Sequence, residues 1–172
     1  MNDVIRLKER FAAIQIAMSG NRVRAKAAIT ARTEFIGPLK VLVTAGSGHQ
    51  CNADEPVALG GGNEAASPIE YALVALSSCQ AVTYRVWAAQ LDIKLDSVSV
   101  VVSCDVDLKS FFGLGDERRA FSGVRILVTL VGPEEKERYR ELAETVDSRC
   151  PVLDLFRNEV TARREISVIS RI

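Results

Sequence analysis

The stretch from Ile69 to Leu91 is the most apolar in the chain, and it limits what the rest can be. It is introduced by Ser67-Pro68, with Ser suited to the N-cap and Pro to the first helical position, where its missing N–H is not needed. The pattern predicts a helix from Pro68 to about Asp92. Tyr71, Leu73, Val74, Leu76, Val82, Tyr84, Val86, Trp87 and Leu91 spread over nearly every face of it. A helix that is hydrophobic all round has to be buried on all sides. A chain of 172 residues suits one domain and can hardly wrap such a helix alone, so a second copy is expected to complete the burial. Glu70, Gln80 and Arg85 interrupt the stretch, and a transmembrane helix would rarely carry two charges in its span. The reading is therefore a buried helix of a soluble protein, with no membrane as partner.

Charge narrows the function classes. Lys plus Arg and Asp plus Glu stand at 22 each, which argues against a nucleic-acid binder with its basic face or stripe. The first 26 residues are broken by charges throughout and hold no apolar core of a signal peptide, so a cytoplasmic chain is expected. Four cysteines, Cys51, Cys79, Cys104 and Cys150, include no C-x-x-C pair, and His49 is the only histidine. A Cys/His zinc site has little to draw on, and neither metal nor cofactor is expected. Thiols in a reducing compartment stay reduced unless they do chemistry.

Around the long helix the other elements fall into place. Residues 3–18 carry apolar side chains at helical spacing and predict an amphipathic helix. Residues 1–20 are read as an N-terminal extension, and 21–172 as a single α+β domain. Residues 23–33 and 39–45 read as strands about the Gly37-Pro38 turn signal, followed by a polar turn over Thr44 to Asn52. Residues 54–68, with Gly60-Gly61-Gly62, form a loop; a phosphate cradle would want the Lys and Ser/Thr that are missing here. Residues 97–107 alternate, with Val98, Val100, Val102, Cys104 and Val106 on one face, and pair with a strand at 123–131 across a loop at 109–122. A helix is expected from Pro133, with Glu134 and Glu135 in its first turn, to about Arg149. A short helical turn over 152–156 and a last strand over 159–170 complete the order.

Four features in sequence order resemble the OsmC/Ohr family: the glycines at 60–62, the helix-opening Pro68, Cys79 eleven residues after it, and the late Cys150-Pro151. The resemblance runs from about residue 22 to the end. It implies antiparallel sheets packed around a long central helix in an intertwined homodimer. It also implies a thiol peroxidase acting on organic hydroperoxides in oxidative-stress defence. Cys79 would be the peroxidatic thiolate and would become a sulfenic acid. Cys150 would condense with it to a disulfide, and a dithiol reductant, typically a lipoylated protein in the family, would reset the pair.

A free thiol with a pKa of about 8.5 is mostly protonated at neutral pH. Cys79 lies about three turns inside its own helix, beyond the reach of that helix's dipole. A cation is therefore required. The family supplies an Arg from the N-terminal strand region; Arg32 is the best match, with Arg22 and Arg24 as alternatives. The family also holds that Arg with a Glu one position after the helix-opening Pro, where this chain has Ile69. Glu70, the substitute, is nine residues before Cys79, nearly half a turn out of phase at about 100° per residue. That departure keeps a second reading open: a ligand-binding or scaffold protein of the same fold, with weak turnover. A general disulfide exchanger would want the C-x-x-C this chain lacks. Cys104 is read as structural, and Cys51 with His49 as part of a polar loop that Asp54 and Glu55 organise. Phe111, Phe112 and Phe121 are either the wall of a hydroperoxide pocket or loop anchors.

Overall fold

The structure is a computed structural model that describes residues 2–19, 26–109, 111–114 and 121–170. A first helix, α1 (Asn2–Ser19), precedes a sheet of three short strands, β1 (Ala31–Phe35), β2 (Val41–Ala45) and β3 (Gln50–Ala53). A 3-10 turn (Val57–Leu59) leads to the long helix α2 (Pro68–Gln90). A two-stranded ribbon, β4 (Ser97–Val106) with β5 (Phe121–Val131), is followed by α3 (Lys136–Arg149) and α4 (Pro151–Arg157). Both sheets are antiparallel, in the orders β1-β2-β3 and β4-β5. This is the expected α+β architecture.

The start of α2 is fixed by a capping box. The Ser67 hydroxyl accepts from the Glu70 amide, while the Glu70 carboxylate accepts from both the Ser67 amide and its hydroxyl at 2.8 Å. The loop in front is held from inside by Asp54, buried and accepting from the amides of Glu55, Gly62 and Glu64 at 2.9–3.1 Å. Gly61 is required by close approach, since a Cβ there would sit 1.9 Å from the Glu55 carbonyl oxygen. Two of the loop amides that would cradle a phosphate, those of Gly62 and Glu64, are thus already given to Asp54.

α2 packs one arc of its surface on the rest of the chain. Leu76 joins Cys150 and Leu153 in one core cluster, with Cys79, Val102, Val124, Ile126, Val152 and Phe156 packed against it. Tyr84 and Ala88 join Ile93, Leu95, Leu142 and Val146 in a second. β4 turns Val98, Val100, Val102, Cys104 and Val106 toward this core, as the alternation predicts, with the odd-numbered residues exposed. α1 lies on the C-terminal half of α2, where Phe11 meets Trp87 edge-on at 5.8 Å and Lys8 pairs with Asp92. The guanidinium of Arg149 stacks over the same Trp87 ring at 5.4 Å.

Within one chain the long helix leaves Val74 51% and Val82 63% exposed, the incomplete burial expected of a single copy. Several sequence expectations need correction. β3 occupies part of the supposed polar turn, because Val41–Thr44 offers Gln50–Ala53 an edge to pair with. The first strand covers only 31–35; residues 26–30 belong to no strand, and 20–25 lie outside the described residues. α3 starts at Lys136 rather than Pro133. The Glu134 carboxylate takes the Lys94 amide and the Glu134 amide donates to the Tyr139 hydroxyl, so this turn is tied to the neighbouring loop. No strand forms over 159–170, where Val160, Ile166, Val168 and Ile169 are exposed. Alternation alone does not supply a partner edge, and an unpaired strand has none of the hydrogen bonds that define one.

The Asp54 carboxylate is held below its usual range chiefly by the Glu64 amide and then by those of Glu55 and Gly62, against its own burial. A lowered folded pKa contributes stability above the unfolded value of about 3.9 and loses it as pH falls through the folded value. Asp54→Asn should therefore be less stable than wild type at neutral pH and show a flatter decline below about pH 4, measured by urea unfolding across pH.

Candidate functional site

Cys79 and Cys150, 71 positions apart, meet with their sulfurs 3.4 Å from each other, the Cys150 thiol donating to Cys79. Two elements produce this contact. Cys79 projects from the middle of α2 beside Leu76, and Cys150 stands at the junction of α3 and α4. Pro151 is the cause of that junction. A residue before proline is pushed out of the helical region, and Cys150 has φ −79° and ψ 110°, so α3 ends there and α4 begins with Pro at its first position. The turn directs Cys150 inward, where it is 3% exposed and packed with Leu76 and Leu153. Cys79 is only half-buried and free.

The asymmetry is chemically useful. The more accessible sulfur is the one a dissolved oxidant reaches first, and the buried one is sheltered until its neighbour has reacted. No backbone movement across the molecule is needed to close a bond between thiols already in contact. Both are reduced, as are Cys51 and Cys104.

Burial pushes the Cys79 thiol above its ordinary value, and the neighbouring Cys150 thiol adds to the rise. Against this, the Val152 backbone amide acts on the Cys79 sulfur and favours the thiolate. Pro151 has no N–H, so Val152 carries the first amide of α4 and α4 presents it to the pair. The Thr83 hydroxyl also lowers the thiol pKa, although in this state its proton goes to the Cys79 carbonyl at 2.7 Å. Neither Val152 nor Thr83 was picked out from the sequence. The signal for Val152 was the Cys-Pro pair itself, an N-cap followed by a first-position Pro. The signal for Thr83 was its place one turn after Cys79.

The other expected site residues lie elsewhere in the chain. Arg32 is on β1 with its side chain largely exposed and its guanidinium 3.7 Å from Glu34. Among the described residues, no cation acts on the Cys79 sulfur. Arg22 and Arg24 are outside the described residues. Glu70 serves the capping box, out of phase with Cys79 as its spacing implies, and its carboxylate is held below the usual range by the Ser67 amide and hydroxyl. Phe111 and Phe112 are exposed and pack on each other at 5.2 Å rather than on the core; Phe121 is on the margin of exposure at the start of β5. Cys104 sits on the inner face of β4, and Cys51 is exposed on β3. No three His, Cys, Asp or Glu side chains among the described residues gather as metal ligands. No described helix is long and apolar enough to cross a membrane.

Comparison with known proteins follows the same lines. The OsmC-like protein family matches residues 61–164, which takes in Cys79 and Cys150. No curated protein matches the chain. Among solved structures, an organic hydroperoxide resistance protein OsmC of Legionella pneumophila superposes with a TM-score of 0.60 at 19% identity, over 76% of this chain and 90% of that one. An organic hydroperoxide resistance protein of Elizabethkingia anophelis gives 0.61 at 20% identity, over 77% and 89%. An OsmC like protein of Mycoplasma pneumoniae gives 0.60 at 17% identity, over 77% and 87%. At these identities the likeness establishes the fold.

Thr83→Val keeps the shape of the side chain and removes the hydroxyl. The Cys79 pKa should rise further, so alkylation of Cys79 by iodoacetamide should slow at neutral pH and recover as pH increases. Rates measured by peptide mass spectrometry across pH check this; a profile identical to wild type would remove Thr83 from the site.

Proposed function

We propose that this chain, which belongs to the OsmC-like protein family, is a cysteine-based thiol peroxidase that reduces organic hydroperoxides. The observation that carries the reading is the contact at 3.4 Å between a half-buried and a buried thiol. In the first step the Cys79 thiolate attacks the distal oxygen of the hydroperoxide. The S–O bond forms, the O–O bond breaks, and the alkoxide takes up a proton and leaves as alcohol. Cys79 is now a sulfenic acid. In the second step the Cys150 sulfur attacks the Cys79 sulfur, the disulfide forms and water leaves. An external dithiol, with a lipoylated protein as the family candidate, returns both thiols by exchange and is itself oxidised to a disulfide. The reading places the protein in the cytoplasm, where such a pair is kept reduced between turnovers.

The reading also includes a homodimer, with residues 21–172 as the catalytic domain and α1 as an extension of it. Val74 and Val82 on α2, Leu127 on β5 and the apolar residues Val160, Ile166, Val168 and Ile169 are exposed in the single chain. An intertwined second copy would cover them. It would also give Arg32, which among the described residues pairs with Glu34, a route to the Cys79 of its neighbour. Light scattering at micromolar concentration should give about twice the 18.8 kDa chain mass; a stable monomer would contradict the dimer.

One observation favours a second reading. Cys79 is raised by burial, and no described cation offsets it, which suits a binding or scaffold protein with weak turnover. Stopped-flow oxidation by an organic hydroperoxide and by hydrogen peroxide separates the two. Cys79→Ser should abolish the reaction, because the serine hydroxyl is far less acidic and less nucleophilic. Cys150→Ser should allow one oxidation and block reductant-driven turnover. Arg32→Ala should leave the raised Cys79 pKa without its counter-charge, slowing attack at neutral pH with recovery at alkaline pH. Wild-type protein reacting no faster than free cysteine would end the peroxidase reading and leave the second.

A further inference from the structure

The side chain of Gln80 is 1% exposed, and its Nε2 is enclosed with no hydrogen-bond partner among the described residues. An amide donor buried in this way is costly, because it gives up its bonds to water and gains none. Such groups are uncommon, and a catalytic or redox role is one of the few explanations for keeping them. The place of Gln80 in the fold supplies a reason. It follows Cys79 directly on α2, and it continues the i, i+4 row Leu76, Gln80, Tyr84 that faces the core. Leu76 belongs to the cluster that holds Cys150, and Tyr84 to the cluster that holds Val146. Val146 is the residue whose carbonyl accepts from the Cys150 amide, so the last turn of α3 spans the two clusters and Gln80 lies between them. Thus the residue next to Cys79 carries an enclosed donor with no partner among the described residues, on the core face of α2.

We infer that the Gln80 amide is the hydrogen-bond donor to the sulfenic oxygen of Cys79. The inference rests on the peroxidase reading and adds a residue to it. When Cys150 attacks the Cys79 sulfur, the S–O bond breaks and the electron pair goes to the departing oxygen, which takes a proton and leaves as water. Gln80 gives up no proton; it stabilises the charge gathering on that oxygen through one N–H. A fixed donor in a dry site is worth more than one in water, and it needs no reorganisation at the moment of reaction. The same account explains why the amide has no partner in the reduced protein: the oxygen it serves is present only after oxidation.

The variants that test this are Gln80→Met, which keeps the length and removes the donor, and Gln80→Glu. Gln90→Met is the control, since Gln90 also has an enclosed Nε2 without a partner but lies ten residues further along α2. Each protein is mixed with one equivalent of organic hydroperoxide, quenched at intervals with dimedone and a thiol-blocking reagent, and mapped by mass spectrometry. Gln80→Met should form the sulfenic acid at the wild-type rate and convert it to the Cys79–Cys150 disulfide about tenfold more slowly, below the roughly hundredfold or greater loss seen for an oxyanion-hole donor. Its thermal midpoint should not fall. Gln80→Glu should be slow at neutral pH and recover as pH falls, when the carboxyl regains an O–H donor. Gln90→Met should match wild type. Disulfide formation by Gln80→Met at the wild-type rate would overturn the role of Gln80 alone. A wild-type protein that forms no disulfide would overturn both this and the peroxidase reading. Loss of folding in both Gln80→Met and Gln80→Leu would assign the amide to structure and overturn the inference as well.

Discussion

Pro151 makes the residue before it extended and cannot continue the helix that precedes it, and the meeting of the two thiols follows from that backbone constraint. α3 stops at Cys150, α4 starts at Pro151, and between them Cys150 turns into the cluster around Leu76. The same proline removes one amide from the start of α4, so the next one, from Val152, acts on Cys79. Leu142 and Val146 seat α3 on α2 in the neighbouring cluster and set the height at which α3 ends. Packing thus positions the two sulfurs, and one covalent ring decides which way the second points.

The electrostatics pull in opposite directions. The burial that brings the thiols together raises the pKa of Cys79, whereas attack on a peroxide needs the thiolate. Among the described residues of one chain, only neutral groups, the Val152 amide and the Thr83 hydroxyl, favour the charged form. A full cation is what the proposed reaction still requires, and in the proposed dimer the exposed Arg32 is the candidate to supply it. The open stripe of α2 and the unpaired segment 159–170 point the same way, since each is an apolar surface that a neighbouring chain would cover.

Much of the fold was legible because periodicity reports burial. The alternation from Val98 to Val106 predicted the inner face of β4, and Ser67-Pro68 predicted the start of α2 with its cap. The pairing of Cys79 with Cys150 was legible only through resemblance, since no local pattern links residues 71 apart. What escaped was set by tertiary partners. β3 depends on the edge that β2 offers, α3 starts late because Glu134 is tied to Lys94, and 159–170 has a strand's alternation but no edge within the chain. Glu70 shows the reverse case: its phase relative to Cys79 followed from helix geometry, and its use in the capping box accounts for why it is there.

The central claim is that Cys79 and Cys150 act as one redox pair. Reduced protein treated with one equivalent of an organic hydroperoxide, alkylated and digested should yield a single disulfide-linked species joining the Cys79 and Cys150 peptides. Cys51 and Cys104 should be recovered as alkylated thiols. Recovery of Cys150 as a free thiol beside an unreacted or over-oxidised Cys79 would contradict the account.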